Sequence, residues 1–241
     1  ATNLASYYLL LRDPGNPLSA QRYLLTSTTP HRTGNTVTIS ISSTDINAVN
    51  IQDRKLCFDG TNCFLSIKAN SIEDISTNKN KCAGLLFKYA AQVTSYIRDI
   101  TPPRLTGYEF SLETGELWMH FDEIIDCESV DVTRFMWQYA QFLGISSQYF
   151  MLGTSAPLCS RYTGKFTKDL YFQLDFYDLV GIKATTQLMK SRSTTFLSRG
   201  AGSVMDVFGV RFADIIDGFA LQAAEFTPDT GRPNLISYTI S

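Results

Sequence analysis

Apolar and polar residues alternate through Tyr108, Phe110 and Leu112, and the alternation resumes at Leu117, Met119 and Phe121 after a turn at Glu113, Thr114 and Gly115. A period of two broken by one turn predicts a β-hairpin with one buried face. Pro102 and Pro103 precede it and hold the chain extended. Phe135 and Trp137 predict a further strand, residues 149–152 another, and Phe172, Leu174 and Phe176 a third. Residues 178–183 leave that period: Leu179 and Ile182 stand one helical turn apart, as a short turn crossing between two sheets would place them. Strands near residues 196–198 and 220–224 complete the set. From Cys82 to Ala91, Leu85, Leu86, Phe87 and Tyr89 fit helix and strand equally by periodicity.

The pattern occurs twice. Residues 36–49 return, degenerately, as residues 170–182, and Asp45 with Asp178, Phe64 with Phe196, Asp74 with Asp206 and Leu105 with Leu235 all stand about 130 residues apart. Self-similarity at one spacing marks a structural unit copied along the chain. Ile46 and Val49 are then the counterpart of the crossing turn. The copies are out of phase with the chain: residues 3–10 match the stretch around 132–137, so the first copy has no equivalent of the 105–121 hairpin. Residues 234–241 repeat the opening strand of that hairpin.

Many short strands between turns predict an all-β fold of tandem antiparallel β-sandwich repeats of the immunoglobulin-like group. The expected division is an incomplete repeat over residues 1–100, a complete one over 101–226, and a linker with the first strand of a next repeat over 227–241. A sandwich short of a hairpin exposes apolar interior and an unpaired sheet edge, which β proteins cover. Two arrangements would supply the cover. Either the chain is a window on a longer tandem array, or the strand formed by Asn234, Leu235, Ile236, Tyr238 and Ile240 adds to a neighbour. One strand does not replace a whole hairpin, which favours the first; both predict a linear assembly.

Composition narrows the class. The chain has 241 residues, 44% of them hydrophobic and 18% charged, with a net charge of −2, so disorder and a nucleic-acid partner are both disfavoured. No apolar run reaches the roughly 20 residues of a membrane-spanning helix. Of five cysteines, Cys57 and Cys63 flank turn residues and can close a hairpin disulfide worth roughly 2 kcal/mol by loop entropy. Cys127 and Cys159 form the second candidate pair, leaving Cys82 free or for an outside partner. Five reduced, buried thiols are the alternative. A zinc site is disfavoured, with only His31 and His120 to add imidazole.

The run of Thr-Pro-Pro, then Leu-x-x-Tyr-x-Phe-Ser-Leu-x-Thr-Gly-x-Leu over residues 101–117, Phe-Asp-Glu-x-Ile-Asp over 121–126, Ser-Val-Asp-Val-Thr over 129–133 and Asp-Leu-x-x-Ile-Lys over 178–183 resembles the tandem immunoglobulin-like repeats of very large extracellular proteins of microbial eukaryotes. The resemblance covers most of the second copy and, more loosely, residues 23–80. It implies an extracellular or cell-surface structural role of the adhesin, matrix or flagellar-hair kind. The closing turn of such repeats is present only in part, at residues 74–78 and 206–209, and the aromatic content is high for the group, which suits packing between subunits.

Candidate chemistry is sparse. Asp122, Glu123, Asp126, Glu128 and Asp131 form the densest acidic cluster. They read as a solvated loop, with Asp122, Asp126 and Asp131 as calcium candidates and Asp99 and Asp229 as further carboxylates beside the linkers. No Gly-x-Ser-x-Gly elbow accompanies the serines, and His120 reads as a surface residue of a strand. Residues 199–203 are glycine-rich without the lysine of a phosphate loop and read as a bulge or turn. Tyr7, Tyr8, Trp118 and Tyr171 are the expected exposed aromatics and Trp137 a core residue. No N-glycosylation sequon occurs, while Ser- and Thr-rich stretches leave O-glycans open. The reading is a non-enzymatic scaffold that needs no cofactor and whose partners are copies of itself or neighbouring repeats. The alternative is an adhesin whose loops and aromatics take glycan or protein.

Overall fold

The computed structural model describes residues 7–10, 22–26, 28–51, 56–144, 148–162, 164–232, 234, 237 and 239. It is rich in strands, almost all antiparallel, and the chain divides into two compact units, Ala1–Thr101 and Pro102–Ser241. Among the described residues no helix is long and apolar enough to cross a membrane.

In the first unit β1 (Tyr7–Leu10), β2 (Arg22–Leu24), β3 (Thr28–Thr33) and β4 (Thr36–Ile41) precede α1 (Ser43–Ile51), and β5 (Phe64–Ile67) and β6 (Ala91–Gln92) follow it. One sheet has the order β2-β1-β5-β6. β3 and β4 form a separate hairpin, turned at Gly34 with φ +59°, a backbone region glycine enters without strain.

The second unit holds β7 (Leu105–Ser111), β8 (Glu116–Asp126), β9 (Phe135–Gln138), β10 (Tyr149–Met151), β11 (Phe166–Gln173), α2 (Phe176–Ala184), β12 (Phe196–Arg199), β13 (Met205–Asp206), β14 (Leu221–Gln222) and β15 (Glu225–Thr227). One sheet runs β10-β9-β12-β14, the other β11-β8-β7-β15 with β13 on β8. Period two decides which side chains meet between them. Tyr108, Leu117, Met119 and Phe172 from one sheet and Phe135, Trp137 and Leu197 from the other share a single core.

The two four-stranded sheets agree in order and register. Leu10 faces Phe64 as Gln138 faces Phe196, and Phe64 faces Gln92 as Phe196 faces Gln222. The helices start alike: Ser42 Oγ accepts the Asp45 amide at 3.1 Å and Asp175 Oδ1 accepts the Asp178 amide at 2.8 Å, each an N-cap that satisfies an orphan donor. Asp45 and Asp178 then reach the same place. Asp45 accepts the Thr26 amide and hydroxyl and the Tyr23 hydroxyl, and Asp178 accepts the Gly153, Thr154 and Ser155 amides, so each carboxylate ties its helix to the chain leaving β2 or β10.

Three details depart from the sequence pattern. Phe176 is not a strand residue: the Asp175 cap starts the helix there, which has nine residues rather than one turn, and Phe176 is 73% exposed. The sheets are not wholly antiparallel, since β15 runs parallel to β7. The cause is a change of sheet: the Ala223 amide donates to Thr195 O and the next amide, Ala224, to Tyr108 O. The stretch from Cys82 to Ala91 is neither one helix nor one strand. Leu85 bridges Ile67, one 3-10 turn spans Phe87–Tyr89, and β6 begins at Ala91. The second unit repeats it, with Tyr89 N–H to Leu86 O at 2.8 Å matched by Phe219 N–H to Ile216 O at 2.9 Å.

Gly84 makes the bridge to β5 feasible. Its φ is +79°, and a Cβ there would lie 2.4 Å from Ala69 N and 2.9 Å from Ile67 O, all backbone that cannot yield. Gly84→Ala is expected to cost the first unit about 2–4 kcal/mol, read as a lowered first calorimetric transition.

Candidate assembly site

The first unit carries an apolar groove of about 420 Å³ whose lining includes Leu25, Val37, Ile39, Ile41, Leu65 and Val93. Val37, Ile39 and Ile41 share one face of β4 by alternation, and all but Leu25 among the six are partly exposed. At the matched positions of the second unit stand Leu152, Leu170, Phe172, Leu174, Leu197 and Ala223. All six are buried, none more than 5% exposed, in one cluster with Tyr108, Phe110, Leu112, Leu117, Met119 and Phe121 of the β7–β8 hairpin. In the second unit the β7–β8 hairpin covers these positions. Among the described residues β4 pairs only with β3, whereas its counterpart β11 pairs along its length with β8. Leu25, Leu65 and Val93 carry no signal of their own in the sequence; only their partners at the common spacing reveal them.

The segments that lead out of each unit also correspond. Asp99 Oδ1 accepts the Thr101 amide at 2.9 Å and Asp229 Oδ1 the Gly231 amide at 3.0 Å, the same Asx turn ahead of β7 and ahead of residue 234. Lys183 Nζ lies 2.8 Å from Asp229 Oδ2 and holds its carboxyl below the usual range. Of the candidate assembly strand, Leu235, Ile236, Tyr238 and Ile240 lie outside the described residues; Asn234 is exposed and outside any strand.

The structure joins Cys57 to Cys63 and Cys127 to Cys159, with Cα atoms 4.0 and 5.7 Å apart. Cys127 is 1% exposed, and Cys159 packs against the core of the second unit. Cys82 is free, its sulfur 3.5 Å from Ser71 Oγ. Burial raises its pKa, but the Ser71 hydroxyl and the Ile72, Ser71 and Gly84 backbone contacts outweigh burial and lower it.

The acidic cluster is dispersed into separate structural bonds. Asp122 accepts the Arg104 amide at 2.8 Å, Asp126 caps Glu128 N–H and pairs with Lys165 at 2.9 Å, and Asp131 takes the Thr133 hydroxyl at 2.6 Å and Arg134 Nε at 2.7 Å. Among the described residues no group of three or more acidic, His or Cys side chains is placed to hold a metal ion. Lys165 already supplies the local cation, and the Asp126 carboxylate raises its pKa.

The exposed-aromatic expectation is corrected at Tyr171, which is 4% exposed. Alternation had put it on the outer face of β11. The reason is cover from Arg161, whose guanidinium lies 4.1 Å from the Tyr171 ring and 5.0 Å from that of Trp118, while Tyr171 donates its hydroxyl to Glu116. Trp118 is half-buried in this stack, and Trp137 is a core residue at 1% exposure. The side chains of Tyr7 and Tyr8 lie outside the described residues. His120 sits partly exposed between two carboxylates, Asp169 at 2.7 Å and Glu109 at 3.5 Å. The glycine-rich stretch 199–203 is the end of β12 and a turn after it, with Gly200 beside Phe135 and Phe212.

No family model, curated protein or solved structure matches the chain.

Proposed function

We propose that the two units are tandem copies of one immunoglobulin-like sandwich, and that the chain is a non-enzymatic extracellular structural protein that builds a fibre or long surface scaffold by end-to-end packing. One observation carries the reading: an apolar groove stands in the first unit where the second keeps its hairpin. A surface of that kind is an interface in waiting, since exposed apolar faces and free sheet edges are otherwise liabilities. The two disulfides suit an oxidising exterior. Copies of this chain are the partners, and the chain needs no cofactor for the role. The adhesin alternative draws less support, because Arg161 covers the Trp118 and Tyr171 faces that a sugar would stack on. Negative-stain electron microscopy of the concentrated chain is expected to show unbranched filaments with a regular axial repeat. Dispersed single particles at every concentration would remove the reading.

A further inference from the structure

Resting on that reading and going beyond it, we propose that the groove of the first unit is a strand acceptor and that its occupant is residues 234–241 of a second copy of the chain. The occupant is chosen by the second unit itself. There, β7 offers Tyr108 and Phe110 inward, both fully or almost fully buried, with Leu105 at the rim. Residues 234–241 place Leu235, Tyr238 and Ile240 at the same spacing, about 130 residues on, after the same Asx turn. Pattern and approach therefore both match β7.

The acceptor is matched in the same detail. β7 is flanked by β15, parallel to it, and receives the Ala224 amide at Tyr108 O, 2.8 Å. The corresponding stretch of the first unit, residues 95–97, follows β6 as β15 follows β14 and pairs with no strand among the described residues. Main-chain pairing along residues 95–97 would supply affinity, and alternate side chains in the groove would supply specificity. The Tyr108 hydroxyl donates to Thr195 O, which also accepts the Ala223 amide. Cys63 O is the counterpart, already accepting Val93 N–H at 3.0 Å on the groove wall, so the Tyr238 hydroxyl of the donor has its partner in place. The strand takes the seat of β7; the seat of β8, along β4, is a separate one. Donor and acceptor are different segments of one chain, so the contact is heterologous and propagates unless it closes.

The test uses the full chain with Val93→Asp in the groove or Tyr238→Asp in the donor, followed by light scattering after gel filtration. Trp118 and Trp137 fluorescence checks that the second unit is folded, and circular dichroism the first. The wild type is expected to grow with concentration, and each variant to run as the 27.0 kDa monomer. Mixing the two variants should give a species of twice that mass and nothing larger, because one retains a working donor and the other a working acceptor. Tyr238→Phe should keep most assembly. A synthetic peptide of residues 232–241 should shorten wild-type assemblies, and its Tyr238→Asp form should not. Filaments that ignore both substitutions and the peptide overturn the strand assignment and leave the fibre reading standing. Assembly that needs both residues but stops at a closed dimer supports the assignment and removes the fibre. A wild type that stays monomeric and ignores the peptide overturns both.

Discussion

Asp178→Ala is expected to destabilise the second unit by about 3–5 kcal/mol, because it removes a buried carboxylate and strands the donors around it. Asp178 is 4% exposed and accepts the amides of Gly153 at 2.9 Å, Thr154 at 3.2 Å and Ser155 at 2.8 Å. Ser155 is itself 3% exposed, so water does not readily replace the lost acceptor. Asp178→Asn should cost less, since the amide oxygen still accepts while its NH2 opposes a backbone donor. Both tryptophans lie in the second unit, so urea unfolding followed by their fluorescence isolates this effect. Asp45→Ala, the counterpart, should leave that signal unchanged and weaken the first unit instead. The pH dependence has a definite sign. Burial raises the pKa of Asp178, but bonds from the Ser155 side chain and from the Gly153, Ser155 and Thr154 amides outweigh it and the carboxyl is held below its usual value. Its stabilisation is therefore complete above the unfolded carboxyl value of about 4 and is lost as pH falls through the lower folded value. Wild type and Asp178→Ala should differ fully at pH 7 and converge in acid. A gap that persists undiminished at low pH would show that the loss is one of packing and not of charge.

The hairpin of β7 and β8, the helix after β11 and the matched aspartates are legible in the sequence because each rests on local periodicity or on comparison across one chain. Asp45 and Asp178 stand out only as repeated letters; their burial and their bonds to the chain leaving β2 and β10 give each position its need for a carboxylate. What local pattern does not carry is pairing at a distance. β15 joins β7 across more than a hundred residues and in parallel, for which no alternation gives a cue. Tyr171 shows the same limit: period two puts it on an outer face, and Arg161, on a 3-10 turn ahead of β11, buries it. Phe176 fails for the opposite reason, a local one. The apolar alternation runs through it unbroken, and a single bond from the Asp178 amide to the Asp175 carboxylate caps a helix there instead. The floor of the groove has no cue in the sequence, because Leu65 and Val93 acquire meaning only beside the buried Leu197 and Ala223.

Removing the two disulfides should separate the units by size of effect. The bridge from Cys127 to Cys159 spans 32 residues and that from Cys57 to Cys63 only 6. Loop-closure entropy then assigns the first about 3.5–4 kcal/mol and the second about 2 kcal/mol. The longer bridge also lies deeper: Cys127 belongs to the same core cluster as Phe121, Val132 and Phe135, whereas Cys57 and Cys63 are part-exposed beside a turn. A Cys127→Ala, Cys159→Ala chain is therefore expected to lose roughly 10 °C or more in the melting of the second unit, followed by tryptophan fluorescence. The Cys57→Ala, Cys63→Ala chain should leave that transition where it is. Under a thiol reductant without denaturant, mass spectrometry of alkylated protein should find Cys57 and Cys63 modified early and Cys127 only on the timescale on which the core opens. Equal rates at the two bridges would mean that Cys127 is reached without unfolding. In that case the second unit would not be the closed template against which the open groove of the first is measured.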